Sequence, residues 1–171
     1  MPESLSLESF EDLFFRHYPR LCGVVRRLVG RPDEAEDLAL EAFYRLWRDQ
    51  DRIRGSREAW LYRVAANLGY NALRASRRRE EHEIRAGIQA LEQAEDEDPP
   101  AAYERSERIE KVRRTLGRMT PRQAQLLALR HTGLSYKQLA EVLGLAPGSI
   151  GTLLARAEAE FEDLFPGEGQ A

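Results

Sequence analysis

Asp33-Glu34-Ala35-Glu36-Asp37-Leu38-Ala39-Leu40-Glu41-Ala42-Phe43-Tyr44-Arg45-Leu46-Trp47 is the stretch that decides the fold. Ala35, Leu38, Ala39, Ala42, Phe43, Leu46 and Trp47 recur at three- and four-residue steps and form one apolar stripe, while Glu34, Asp37, Glu41, Arg45 and Arg48 fall outside it. The pattern predicts an amphipathic helix with one face packed and the other free to meet a partner. A polar loop from Arg48 to Glu58 follows, and a second helix opens on Trp60. That helix buries Trp60, Leu61, Val64, Ala65, Leu68 and Leu73 and carries Arg63, Asn67, Asn71 and Arg74 on other faces before Arg77-Arg78-Arg79. Its open side is a candidate nucleic-acid face.

Upstream, Phe10, Leu13, Phe14, Tyr18, Leu21, Val24, Val25 and Leu28 stand at helical spacing and predict a helix over residues 9–29, which Pro19 is expected to kink or split. His17 lies near Cys22 with no second pair of ligands at metal spacing, so a surface or partly packed histidine is expected. Gly30-Arg31-Pro32 breaks the chain, and Asp33 with Glu36 is expected to cap the next helix. Ser56 is the expected cap of the one after it. Beyond Arg79 an acidic tract runs to Glu107 and includes Glu95-Asp96-Glu97-Asp98-Pro99-Pro100. Such a run buries little apolar surface, so residues 80–107 are expected to be a flexible linker, with Ile84, Ile88 and Leu91 able to support a short helix inside it.

The second module shows four further helical stripes. Ile109, Val112 and Leu116 mark the first, and Thr120-Pro121 with Gln123 starts the second, which holds Ala124, Leu127 and Ala128. Ser135 with Gln138 starts a third carrying Leu139, Ala140, Val142 and Leu143, stopped by Gly144. Pro147 opens the last, with Ile150, Leu154, Ala157, Phe161 and Leu164 on one side. Two helices joined by a tight glycine turn, the second longer, make a helix-turn-helix pattern. At about 100° per residue, Ser149, Thr152 and Arg156 lie opposite the stripe and are the candidates for a major-groove face.

With 171 residues, 42% hydrophobic and 32% charged, the chain is predicted to be all-α, in two small helical domains. The single cysteine, Cys22, excludes an internal disulfide and a cysteine metal cluster, and a buried structural thiol is expected. Residues 1–9 show no basic-then-apolar pattern, and no apolar run approaches the roughly 20 residues that span a bilayer, so a cytoplasmic protein without membrane contact is expected. A net charge of -3 argues against strong duplex binding by the chain alone. The acids at 33, 34, 36, 37 and 41 suit a helix start better than a metal site, and neither an enzymatic role nor a cofactor or metal is expected.

Ala35-Glu36-Asp37-Leu38, Glu41, Phe43, Leu46-Trp47, Trp60-Leu61, Val64-Ala65-Ala66-Asn67, Asn71 and Leu73-Arg74, in that order and spacing, closely resemble the amino-terminal module of small bacterial RNA polymerase sigma factors of the extracytoplasmic-function type. The segments around Arg122, Leu126 to Leu129, Gly133-Leu134-Ser135, Leu143-Gly144 and Pro147-Gly148-Ser149-Ile150 are similar to the family's upstream-promoter reader. The resemblance implies a region 2-like domain over residues 1–79, the acidic linker over 80–107 and a region 4-like domain over 108–171. It further implies that the exposed side of residues 33–49 docks on the clamp helices of the polymerase largest subunit through Asp37, Glu41 and Arg45. The loop of residues 51–58 would then hold the melted minus-10 strand, with Arg54, Ser56, Arg63, Asn67, Asn71 and Arg74 as contacts. Ser149, Thr152 and Arg156 would read the minus-35 element. Polymerase core, including the flap of its second-largest subunit, promoter DNA and an anti-sigma factor are the implied partners. Two alternatives stay open: an ordinary helix-turn-helix regulator, and a sigma-like protein that binds polymerase or another protein with little promoter reading. The second is kept open by the few cations on the last helix.

Overall fold

The computed structural model describes residues 7–87 and 100–165 as seven α-helices with no strand among them. Three helices form the amino-terminal module: α1 (Leu7–Val29), α2 (Pro32–Asp49) and α3 (Arg57–Arg85). They pack on Leu21, Val24, Val25, Leu28, Ala35, Ala39, Ala42, Phe43, Leu46, Leu61, Ala65 and Leu73, all buried. Phe10, Phe14 and Tyr18 of α1 gather around Phe43 of α2, with Phe10 also edge-on to Trp47 at 5.1 Å.

The second module contains α4 (Pro100–Arg118), α5 (Pro121–Arg130), α6 (Tyr136–Leu143) and α7 (Ile150–Leu164). Both expected capping boxes form. Thr120 and Gln123 satisfy each other's backbone amides at the start of α5, and Ser135 and Gln138 do so for α6. Gly144 ends α6 in the left-handed conformation that a side chain resists. A short 3-10 turn over Pro147–Ser149 then redirects the chain into α7, and the two arms meet at 108°, as in a helix-turn-helix.

Several expectations are corrected. Of the two outcomes expected at Pro19, a kink or a split, the split does not occur: α1 runs unbroken through it. The cap of α2 is not Asp33 with Glu36: the helix starts with Pro32 at its first position and Arg31 as cap residue, and no side chain bonds there. Pro32 has no amide to satisfy, and Asp33 and Glu34 favour the helix start through its dipole instead. Residues 80–107 are not wholly a linker, because α3 continues through Arg85 and α4 begins at Pro100; the Ile88 and Leu91 part of the expected short helix lies outside the described residues. The extension of α3 is held by side-chain ion pairs of Arg77 with Glu81 and of Glu80 with Arg113. Cys22 is only half-buried, its thiol pushed up by burial, and Tyr18 beside it is pushed up to about 12 by burial and its bond to Cys22. His17, expected near the surface, is 3% exposed.

The two modules share one continuous apolar core. A Cβ added to Gly30, after α1, would lie 3.1 Å from Ile109 of α4.

Candidate polymerase and nucleic-acid interfaces

The outer face of α2 carries Asp37, Glu41 and Arg45 as anticipated. Asp37 is exposed, whereas Arg45 donates to Glu41 at 2.7 Å, one turn away. Two neighbours absent from the sequence-based set stand out: Leu40 and Tyr44 are 46% and 58% exposed, with Arg48 lying over the Tyr44 ring. The two stand one helical turn apart and so form a small apolar patch beside Asp37 and Glu41. Their signal was present in the sequence as two apolar positions outside the stripe.

At the other end of α2 the chain makes a 3-10 turn (Gln50–Arg52), buries Ile53 and turns at Gly55, whose φ of +83° favours glycine. Ser56 caps α3 by accepting from the Ala59 amide at 3.1 Å, so its hydroxyl holds the loop. Arg54 is exposed on that loop, and Asn71 and Arg74 are exposed further along α3.

Arg63 and Asn67 are engaged by the second module. Arg63 donates from Nε to the Val142 carbonyl and from its second guanidinium arm to the Glu141 carbonyl, both at 2.7 Å, at the C-terminal end of α6. Asn67 accepts from the Gln125 amide at 2.7 Å. Farther along α3, the Tyr70 hydroxyl donates to the Met119 carbonyl and Arg77 donates to the Gly117 carbonyl. Arg113 of α4 closes the contact by donating to Ser76 and to Glu80, while also pairing with Glu110. Burial would push the Glu110 carboxyl up, but the hydrogen bond and charge of Arg113, with Arg114, outweigh it and hold the carboxyl below its usual range. The α3 face assigned to single-stranded DNA is therefore shared with α5, α6 and the α4–α5 corner.

On α7, Thr152 and Arg156 are exposed one turn apart. Ser149 belongs to the preceding 3-10 turn, where its hydroxyl donates to the Ala146 carbonyl. Glu158 points elsewhere, pairing with Arg130 of α5. Among the described residues no single helix is long and apolar enough to cross a membrane.

A cation-bearing helix beside a polar loop, tied to a helix-turn-helix, defines a DNA-reading protein of two linked modules. Residues 13–79 match the family description Sigma-70 region 2, and residues 109–161 match Sigma-70, region 4. The RNA polymerase sigma-H factor of Pseudomonas aeruginosa is 31% identical over 87% of this chain and 82% of its own length. The ECF RNA polymerase sigma factor SigE of Mycolicibacterium smegmatis is 26% identical over 94% of this chain and 63% of its own length. In fold the chain is similar to the sigma factor RpoE of a Bartonella quintana complex with the anti-sigma factor NepR, with a TM-score of 0.58 and 22% identity over 95% of this chain and 99% of that one. The chain belongs to the sigma-70 family of RNA polymerase sigma factors, with the region 2 and region 4 pair of the extracytoplasmic-function type. It binds polymerase core and directs promoter recognition and transcription initiation, and is not an enzyme.

Proposed function

We propose that the working parts of this sigma factor are the outer face of α2, the loop ahead of α3 with the adjoining α3 face, and the open side of α7. Asp37, Glu41 and Arg45, joined by Leu40 and Tyr44, dock on polymerase. Arg54, Arg63, Asn67, Asn71 and Arg74 hold the melted minus-10 strand, with Ser56 setting the loop; the upstream element is read by Thr152 and Arg156, with Ser149 at the entry to α7. Single strands are held by backbone charge and by polar pockets for unstacked bases, which suits a loop and helix carrying both arginine and asparagine. The observation that carries this is the α3 face, where Arg63, Asn67, Asn71 and Arg74, all four exposed and two of them cations, stand in line beyond the Ser56-capped loop.

Because Arg63 and Asn67 are bonded to the second module, the arrangement seen here is a closed form, and strand capture requires the modules to part. Polymerase supplies the main grip on DNA and spreads the two modules, whose linkage raises effective concentration without strong binding by either alone. An anti-sigma partner in the cytoplasm would retain the closed form. A groove floored by Ile109, Val112, Leu127 and Phe161 and edged by Arg26 and Arg108 borders both modules and suits such a protein. Purified core plus this chain is expected to initiate at a promoter that core alone ignores. Arg54→Ala with Asn71→Ala should weaken opening of that promoter without releasing the chain from core, and unimpaired opening would refute the strand assignment.

A further inference from the structure

Three polar side chains are buried among the described residues: His17, Thr115 and Thr132. Both threonines donate to nearby backbone carbonyls, Thr115 to Lys111 within α4 and Thr132, in the turn after α5, to Leu129. Only His17 bridges two helices. Its Nε2 lies 2.9 Å from Glu58 Oε1, and its Nδ1 lies 3.1 Å from the Tyr62 hydroxyl. An ionised carboxylate only accepts, so Nε2 carries the proton and donates to Glu58, leaving Nδ1 to accept from the Tyr62 O–H. Burial lowers the ring's affinity for a proton, an effect that Glu58 opposes and Arg20 and Arg16 reinforce, which favours this neutral arrangement.

Both partners belong to the first turns of α3. Glu58 follows the Ser56 cap by two residues, and Tyr62 is fully buried immediately before Arg63. Ser56, Glu58 and Tyr62 also border a narrow crevice against Gln138, Glu141 and Val142 of α6. One imidazole on α1 thus ties down the first two turns of α3, beside the Ser56-capped loop carrying Arg54 and one residue before Arg63.

We infer that His17 is a positioning residue for promoter-strand capture, acting through Glu58 and Tyr62 on the loop and helix start that receive the melted strand. The inference rests on the strand assignment above. A network held between two helices restricts the loop to one geometry, so its loss is felt in strand capture more than in docking to polymerase, which uses α2.

The test uses holoenzyme assembled from core and the full chain, with a fluorescent single-stranded minus-10 oligonucleotide as probe. His17→Phe keeps volume but removes both bonds, and is expected to weaken capture about tenfold with core affinity within about twofold, the size of losing a hydrogen bond to a charged partner. His17→Gln, whose amide can donate to Glu58 and accept from Tyr62, is expected to recover most of the loss. Tyr62→Phe, the milder change, should weaken capture about threefold. The inference is overturned if His17→Gln is as poor as His17→Phe, if core affinity falls in parallel with capture, or if His17→Phe and Tyr62→Phe both leave capture intact. Arg54→Ala and Asn71→Ala separate the two levels. If these leave capture unchanged, the strand assignment fails; if they weaken it while the His17 variants do not, only the positioning role fails.

Discussion

Gly69 lies where α3 crosses α1, and a Cβ added there would sit 2.9 Å from Leu28 Cδ1 and 3.5 Å from Val25. Both neighbours are fully buried, so neither can swing aside into solvent. Gly69→Leu is expected to destabilise the chain by about 3 kcal/mol through overpacking, read as a lower denaturant midpoint at an unchanged m-value. His17 makes a second prediction. Its proton affinity is lower folded than unfolded, chiefly because of burial, so the unfolded chain binds more protons just below the ordinary histidine value. Stability is therefore complete above that value and falls as pH drops through it. Denaturation from pH 7.5 to 5 should show this loss in the parent and a smaller one in His17→Gln. The role of His17 was invisible in the sequence because its partners stand 41 and 45 positions away. Leu40 and Tyr44, by contrast, were legible as apolar residues on the wrong side of a stripe.

Helix boundaries in the second module followed from local chemistry. Thr120 with Gln123 and Ser135 with Gln138 need only a three-residue spacing to satisfy two amides, and both did so. The expected cap of α2 failed because the helix starts one residue earlier, with Pro32 at its first position, so Asp33 falls inside the first turn and Arg31, which has no side-chain acceptor, holds the cap position. The length of α3 was misjudged for a different reason: Glu80 and Glu81 have the composition of a solvated tract, yet Arg113 and Arg77 are placed to pair with them. Ser135→Ala removes the cap of an eight-residue helix that supports α7 and whose Glu141 and Val142 carbonyls accept from Arg63. A cost of about 1 kcal/mol is expected in thermal or denaturant unfolding. Upstream-element protection by the holoenzyme should weaken with it.

How the modules sit on each other could not be read from the chain, and the reason is chemical. Arg63 bonds to the carbonyls of Val142 and Glu141, Tyr70 to that of Met119, Arg77 to that of Gly117 and Arg27 to that of Ala128. Backbone acceptors are the same at every position and leave no mark in the sequence. Such contacts each contribute about 1 kcal/mol and release readily when a stronger partner competes, which suits a surface that must later open. Arg113 is the contact with the most to lose, since its largely buried guanidinium serves Ser76, Glu80 and Glu110 together. Arg113→Ala combined with Tyr70→Phe should loosen the closed form by about 2–3 kcal/mol while leaving α2 and the α3 loop untouched. Donor and acceptor dyes on α2 and α7 of the free chain are then expected to report a longer mean separation, and the minus-10 oligonucleotide should bind the core-free variant more tightly than the parent. A longer separation with no gain in binding would mean that the second module covers the strand face without limiting access to it.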